Sequence, residues 1–131
     1  MSHSFPVRVY YEDTDMAGIV YYANYLRYIE RARSDWVRKI GIDQLAMKKN
    51  GVVFAVRRIE ADYIAPAVFD DTLDVRTRVT KLTAARMVMG QEVWRADMCL
   101  FRADVTIVCI GKGGQPARLP AELRSLPLSQ H

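Results

Sequence analysis

Apolar and polar residues alternate along most of this chain, and the period lengthens in one place. Phe5 to Glu12 (FPVRVYYE) alternates and is rich in β-formers, which predicts a first strand. A cluster of turn and capping residues, DTDMAG around Gly18, ends it. From Ala23 to Ile40 the spacing is helical. Tyr25, Ile29, Ala32, Trp36 and Ile40 recur three and four apart, and Leu26 and Val37 widen the face. Arg33 lies on the same side, so it is expected to snorkel or to sit at the edge of the stripe. Gly41 follows as a natural C-terminal cap. Asp43 to Lys49 predicts a short second helix with Asp43 as its N-cap.

After Gly51 the chain turns to β-character. Strands are expected over Val52 to Tyr63, Thr72 to Leu82, Met87 to Asp97 and Cys99 to Ile110, with a break at Pro66. In the second of these, Leu73, Val75, Thr77 and Val79 oppose Asp74, Arg76, Arg78 and Thr80. The tail from Gln115 to His131 holds three of the five prolines and is expected to run irregularly over the surface. One strand, one long helix and four strands predict a single α+β domain over residues 1–131. Its five-stranded antiparallel sheet would wrap around one central helix. The outer face of the sheet is expected to carry apolar residues, so that oligomerisation would cover it together with the sheet edges.

Composition narrows the class. Of 131 residues, half are hydrophobic and 26% charged, which suits one ordinary globular domain. No apolar run approaches the ~20 residues of a membrane span. Met1 to Pro6 lacks a signal-peptide pattern, so a cytoplasmic location is expected. The net charge of +4 suits an anionic ligand, but basic residues alternate with acids, and no basic stripe interleaved with aromatics points to nucleic acid. Cys99 and Cys109 read as buried reduced thiols without a zinc partner set. The two histidines, His3 and His131, lie at the termini, where disorder is common. That removes Ser-His and Cys-His mechanisms and most zinc chemistry.

Chemistry concentrates in Tyr10 to Tyr25, YYEDTDMAGIVYYANY. Glu12, Asp13 and Asp15 lie between a strand and a helix start, whose first N–H groups are unpaired and slightly positive. Backbone donors there suit an oxyanion, and a nearby acid suits attack on a carbonyl or activation of water. Gly18 permits a tight turn or close approach to a ligand. Turn acids before a helix more often serve as caps, and the residues alone leave both roles open.

The pattern Y-x-D-T-D-x-x-G-x-V-Y-x-A-N-Y, from Tyr11 through Asp13, Thr14, Asp15, Gly18, Val20, Tyr21, Ala23 and Asn24 to Tyr25, resembles the signature of the 4-hydroxybenzoyl-CoA thioesterase-like hotdog family. The similarity is closest to the Tol–Pal-associated acyl-CoA thioesterase branch. It continues through YIERARSDWVRKIG, VVFAVRRIEADYIAPAVFDDTLDVRT and Pro116 to Pro120. The resemblance implies a hotdog fold, homodimers or homotetramers with a continuous sheet, and active sites at the dimer interface. It implies Asp15 as nucleophile or general base and the Tyr22 N–H as the donor that polarises the thioester carbonyl, with no metal or cofactor. The branch usually carries His where Tyr22 stands here, and a phenol, with an unperturbed pKa of about 10, shuttles protons less readily near neutrality.

Asp13 reads as a local cap, Glu12 as solvated and Glu30 as part of an ion-paired helix surface. Arg57, Arg58, Lys81, Arg86 and Arg118 are candidates for the CoA phosphates. Phe54, Val56, Tyr63 and Met87 are candidates for the acyl pocket, each equally a core residue. The expected activity is hydrolysis of acyl-CoA thioesters. The alternatives are an aryl-CoA thioesterase, or a hotdog protein that mainly binds an acyl carrier protein or a Tol–Pal or envelope partner.

Overall fold

The structure, a computed structural model, describes residues 2–126, and His131 lies outside them. Five strands form: β1 (His3–Arg8), which starts before and stops short of the expected Phe5 to Glu12 because Tyr11–Asp13 turns helical, and β2 (Val53–Tyr63), β3 (Thr72–Leu82), β4 (Arg86–Arg95) and β5 (Met98–Ile110), close to expectation. All pair antiparallel in the order β1-β3-β4-β5-β2. The β3-β4-β5 meander follows from short connections, but β2 crosses over to pair with β5 instead of its neighbour in sequence. Pro6, which cannot donate to a ladder, sits on edge strand β1.

The tail departs from expectation. Pro116–Ala117 forms β6 on β5 and makes the sheet six-stranded; Ala121–Arg124 forms a short helix, here α3. Leu119 and Leu123 are fully buried, and Leu119 N donates to Ala84 O at 2.9 Å. Two leucines four residues apart bury enough apolar surface to order a proline-rich segment.

Alternation sorts the sheet into two unlike faces. Leu73, Val75, Val79, Met87, Met89, Val93, Phe101, Ala103, Val105 and Ile107 point inward and form the core. Arg76, Arg78, Glu92, Arg102 and Asp104 occupy outward positions. The outer face is therefore mostly charged and polar, with Val88, Trp94 and Val108 half-buried among these groups, short of the apolar face expected.

The long helix α1 spans Asn24–Lys39 and packs on β3, β1 and β4. It buries Tyr25, Tyr28, Ile29, Ala32 and Val37. Leu26, expected on this face, is 37% exposed; Tyr28, at the i+3 position from Tyr25, takes its place. Gly41, at φ +97°, donates to Arg38 O, and Ile42 N donates to Val37 O. That pair of bonds closes the helix as a Schellman motif with Val37 and Ile42 both buried. Helix α2 follows as Gln44–Lys49, its N-cap Asp43 accepting from Leu45 N and Ala46 N.

Gln91 and Thr77 are paired inside the core. Gln91 Nε2 donates to Ile29 O and to Thr77 Oγ1, each at 2.9 Å. His3 is no loose terminus: its Nε2 lies 2.7 Å from Asp35 Oδ2, and Lys39 Nζ lies 3.2 Å from the same oxygen. Cys109 is buried, which pushes its thiol up to about 11, whereas Cys99 is only half-buried, short of the buried pair expected. Glu30 is exposed and enters no ion pair among the described residues, contrary to expectation.

The contact with His3, and after it Lys39, holds the Asp35 carboxyl below the usual carboxylate range. A carboxyl lowered in the folded state stabilises the fold above its ordinary pKa of about 4, and the gain is lost as pH falls through the lowered value. Wild type should therefore melt above Asp35→Asn at neutral pH, with the gap closing on acidification. A gap that stays constant into acid would contradict the pairing.

Candidate active site

The DTDMAG segment folds as a small hairpin. Tyr11–Asp13 makes one turn of 3-10 helix. The chain then runs back on itself: Tyr21 N donates to Asp13 O at 2.8 Å, Thr14 bridges Val20, and Asp15 N donates to Ile19 O at 2.9 Å. Asp15 Oδ1 accepts from Ala17 N at 2.9 Å, a local bond that closes the tip. Gly18 completes it at φ +81°, a conformation that L side chains adopt only at a cost. Ile19 bridges Val68 and Val20 N donates to Ala67 O, so the hairpin is tied to the connection between β2 and β3.

The three acids separate by role. Asp13 is the local cap expected of it: Oδ2 accepts from Tyr10 N at 2.9 Å and Oδ1 from Asn24 Nδ2 at 3.0 Å. Glu12 is exposed. Asp15 is also exposed, and its Oδ2 has no partner among the described residues. Tyr28 places a buried hydroxyl near Asp13 without completing a hydrogen bond; burial first, then the Asp13 carboxylate, raises its pKa.

Tyr22 and Ala23 lead into α1. Ala23 is its N-cap and offers no side-chain acceptor. The N–H groups of Tyr22 and Ala23 find no acceptor among the described residues. They stand at the positive end of a 16-residue helix. The Tyr22 ring is 62% exposed, while its carbonyl accepts from Tyr63 Oη at 2.9 Å. Tyr25 stacks on Phe101 with centroids 5.0 Å apart, and Tyr63 meets Phe101 edge-on at 4.9 Å. Tyr25 Oη accepts from Ala67 N at 2.9 Å, and burial raises the Tyr25 pKa. The hairpin thus brings an open carboxylate oxygen and open backbone donors onto one loop–helix junction. Ile19, not Tyr22, stands directly across the ladder from Asp15.

The other candidates fall into two places. Phe54, Val56 and Met87 line one cavity of about 210 Å³ between α1 and the sheet, whereas Tyr63 belongs to the helix-start aromatics. Arg33 and Glu30 also line this cavity. Arg58, Lys81 and Arg86 share a groove on the outer sheet face with Arg78 and Arg102. The strand alternation that points Arg78 and Arg102 outward was the only signal that grouped these last two with them. Arg118 is exposed beside the turn that precedes Arg86, next to the Leu119–Ala84 bond, and Arg57 lies outside the groove. Among the described residues no three His, Cys, Asp or Glu side chains gather to hold a metal.

Known proteins share both sequence and shape with this chain. The thioesterase superfamily pattern matches residues 17–100. Acyl-CoA thioesterase YbgC of Haemophilus influenzae is 37% identical, over 93% of this chain and 91% of that protein. Acyl-CoA thioester hydrolase YbgC of Escherichia coli is 41% identical, over 80% and 79%. A probable thioesterase from Bartonella henselae superposes with a TM-score of 0.88 at 36% identity, covering 92% of this chain and 100% of that one. A 1,4-dihydroxy-2-naphthoyl-CoA thioesterase from Synechocystis superposes at 0.86 with 26% identity, covering 93% and 92%.

At Gly18 an added Cβ would meet nothing within 4 Å, so a substitution there is strained by backbone conformation alone. Gly18→Ala should cost about 1–2 kcal/mol in denaturant unfolding, and Gly18→Asn less, since Asn tolerates the left-handed region. Equal losses in the two variants would point to crowding instead.

Proposed function

This chain belongs to the thioesterase superfamily and has the hotdog fold, and on that premise we propose how it hydrolyses acyl-CoA thioesters to free acid and CoA. The Asp15 carboxylate either attacks the thioester carbonyl carbon or takes a proton from the water that does. Charge that develops on the carbonyl oxygen is held by the N–H of Tyr22 at the positive end of α1. Collapse of the tetrahedral species breaks the C–S bond, and CoA leaves as the thiolate, which is then protonated. On the attack route, water subsequently cleaves the acyl–Asp15 anhydride. The observation that carries this reading is the pair of unengaged groups on one junction, Asp15 Oδ2 and the Tyr22 N–H. The Tyr22 side chain enters neither route, so no imidazole is required.

In this reading the site is completed by a second copy. Strand β2 is an 11-residue edge, and Val53, Val56 and Tyr63 along it are 37%, 46% and 49% exposed. Two such edges, paired antiparallel about a two-fold axis, set the Phe54–Val56 end of one copy against the Asp62–Tyr63 end of the other. Tyr63 is bonded to Tyr22, so the cavity of one copy would adjoin the helix start of its partner. Phe54 then contacts the acyl group, Gly18 shapes the hairpin at the thioester, and Arg86 and Arg118 serve the CoA phosphates.

A second reading, an aromatic acyl group, is favoured by Tyr22, Tyr25 and Tyr63 at the helix start and by the aryl-CoA substrate named for the Synechocystis neighbour. Comparison of benzoyl-CoA with aliphatic acyl-CoAs separates the two.

Asp15→Asn retains an acceptor for Ala17 N, so the hairpin should survive. With a panel of acyl-CoAs and a thiol reagent, kcat should fall by roughly 10²–10⁴ at an unchanged melting temperature. A variant as active as wild type would remove Asp15 from the mechanism.

A further inference from the structure

We propose that the cavity between α1 and the sheet receives the distal end of an acyl group that bears a terminal carboxylate, and that Arg33 recognises it. The proposal rests on the thioesterase reading above and deepens it by naming a substrate class, the half-thioesters of dicarboxylic acids.

The cavity walls are largely apolar, from Val37, Phe54, Met87 and Ile107. Into this lining the helix projects a half-buried guanidinium. Arg33 Nη1 donates to Gln91 Oε1 at 3.0 Å. Gln91 cannot turn its amide around, because Nε2 already donates to Ile29 O and to Thr77 Oγ1. The oxygen must therefore face Arg33, and the guanidinium is held in place by an amide rather than by a counterion. No carboxylate lies within 4.0 Å of it among the described residues. Its remaining N–H donors, of the five a guanidinium offers, also lack partners there.

A cation partly withdrawn from water without a counterion carries a desolvation cost, and burial lowers the Arg33 pKa, opposed by Glu30 on the same helix. A carboxylate is the ligand that offsets this cost, since the planar fork binds it bidentately. Glu30 is exposed and stays beyond 4.0 Å, so it leaves the fork open. At about 210 Å³ the cavity lies below the roughly 300–1,000 Å³ of drug-sized sites, which suits a short chain. A methyl-ended chain would leave the charge unmet, while a carboxylate-ended chain of the same length would fill the same space and neutralise it.

The test compares glutaryl-CoA with pentanoyl-CoA, equal in carbon number, on the full chain. Wild type should favour glutaryl-CoA in kcat/KM, and in Arg33→Met the ratio of the two should fall by about ten- to a hundredfold. Arg33→Lys, which keeps the charge without the fork, should retain part of the preference and carries the test if Arg33→Met does not fold. A merely structural arginine would lower both rates alike. An unchanged ratio, or a wild type with no preference, overturns the proposal and leaves the thioesterase reading intact. If neither thioester is cleaved but other acyl-CoAs of the panel are, the proposal is overturned; if no acyl-CoA is cleaved, the thioesterase reading fails instead. Binding of free glutarate, followed by ligand-observed NMR, then decides the proposal: saturable binding lost in Arg33→Met supports it, and absence of binding to wild type overturns it.

Discussion

Tyr25 and Tyr63 hold the first turn of the central helix from two sides. The Tyr63 hydroxyl donates to the Tyr22 carbonyl, and the Tyr25 hydroxyl accepts from Ala67 N, with both rings packed on Phe101. The helix start is thereby fixed to β2, to β5 and to the loop that also receives the hairpin at Val20. Because those contacts engage carbonyl and side-chain groups, they leave the N–H donors of Tyr22 and Ala23 unspent. In the proposed mechanism, donors held this way need no reorganisation when charge develops, which is the condition under which backbone donors act best on a reaction.

The same economy of faces governs the rest of the molecule. Alternation turns most of the large apolar side chains of β3, β4 and β5 toward one helix, and α1 alone is long enough to cover them. The outer face is left to Arg76, Arg78, Glu92, Arg102 and Asp104, so assembly gains little there from the hydrophobic effect. The long edge of β2, with unpaired backbone and exposed valines, is the surface on which the proposed second copy would pair. The groove of Arg58, Lys81, Arg86 and their neighbours lies on the far side of the sheet from α1.

Much of this was legible in local pattern. The bounds of α1, its Gly41 cap, the Asp43 cap and the whole of β3 follow from spacing and from residue chemistry over a few positions. Contacts between distant segments were not. The crossover of β2 onto β5, the His3–Asp35 pair and the burial of Leu119 and Leu123 depend on what each segment meets in space. Tyr28, not Leu26, joins Tyr25, Ile29, Ala32 and Val37 on the core face of α1. At the site, the motif located the junction and distinguished Asp15 from its neighbours by resemblance. Arg33 was visible as a charge on an apolar face, but its bond to Gln91, 58 positions away in sequence, was not.

The most direct measurement is a crystal structure with a ketone analogue of an acyl-CoA, in which a methylene replaces the thioester sulfur. The account predicts the ketone oxygen about 3 Å from Tyr22 N, with the Asp15 carboxylate facing the carbonyl carbon. A ketone bound elsewhere, with the Tyr22 N–H unengaged by it, would contradict the account.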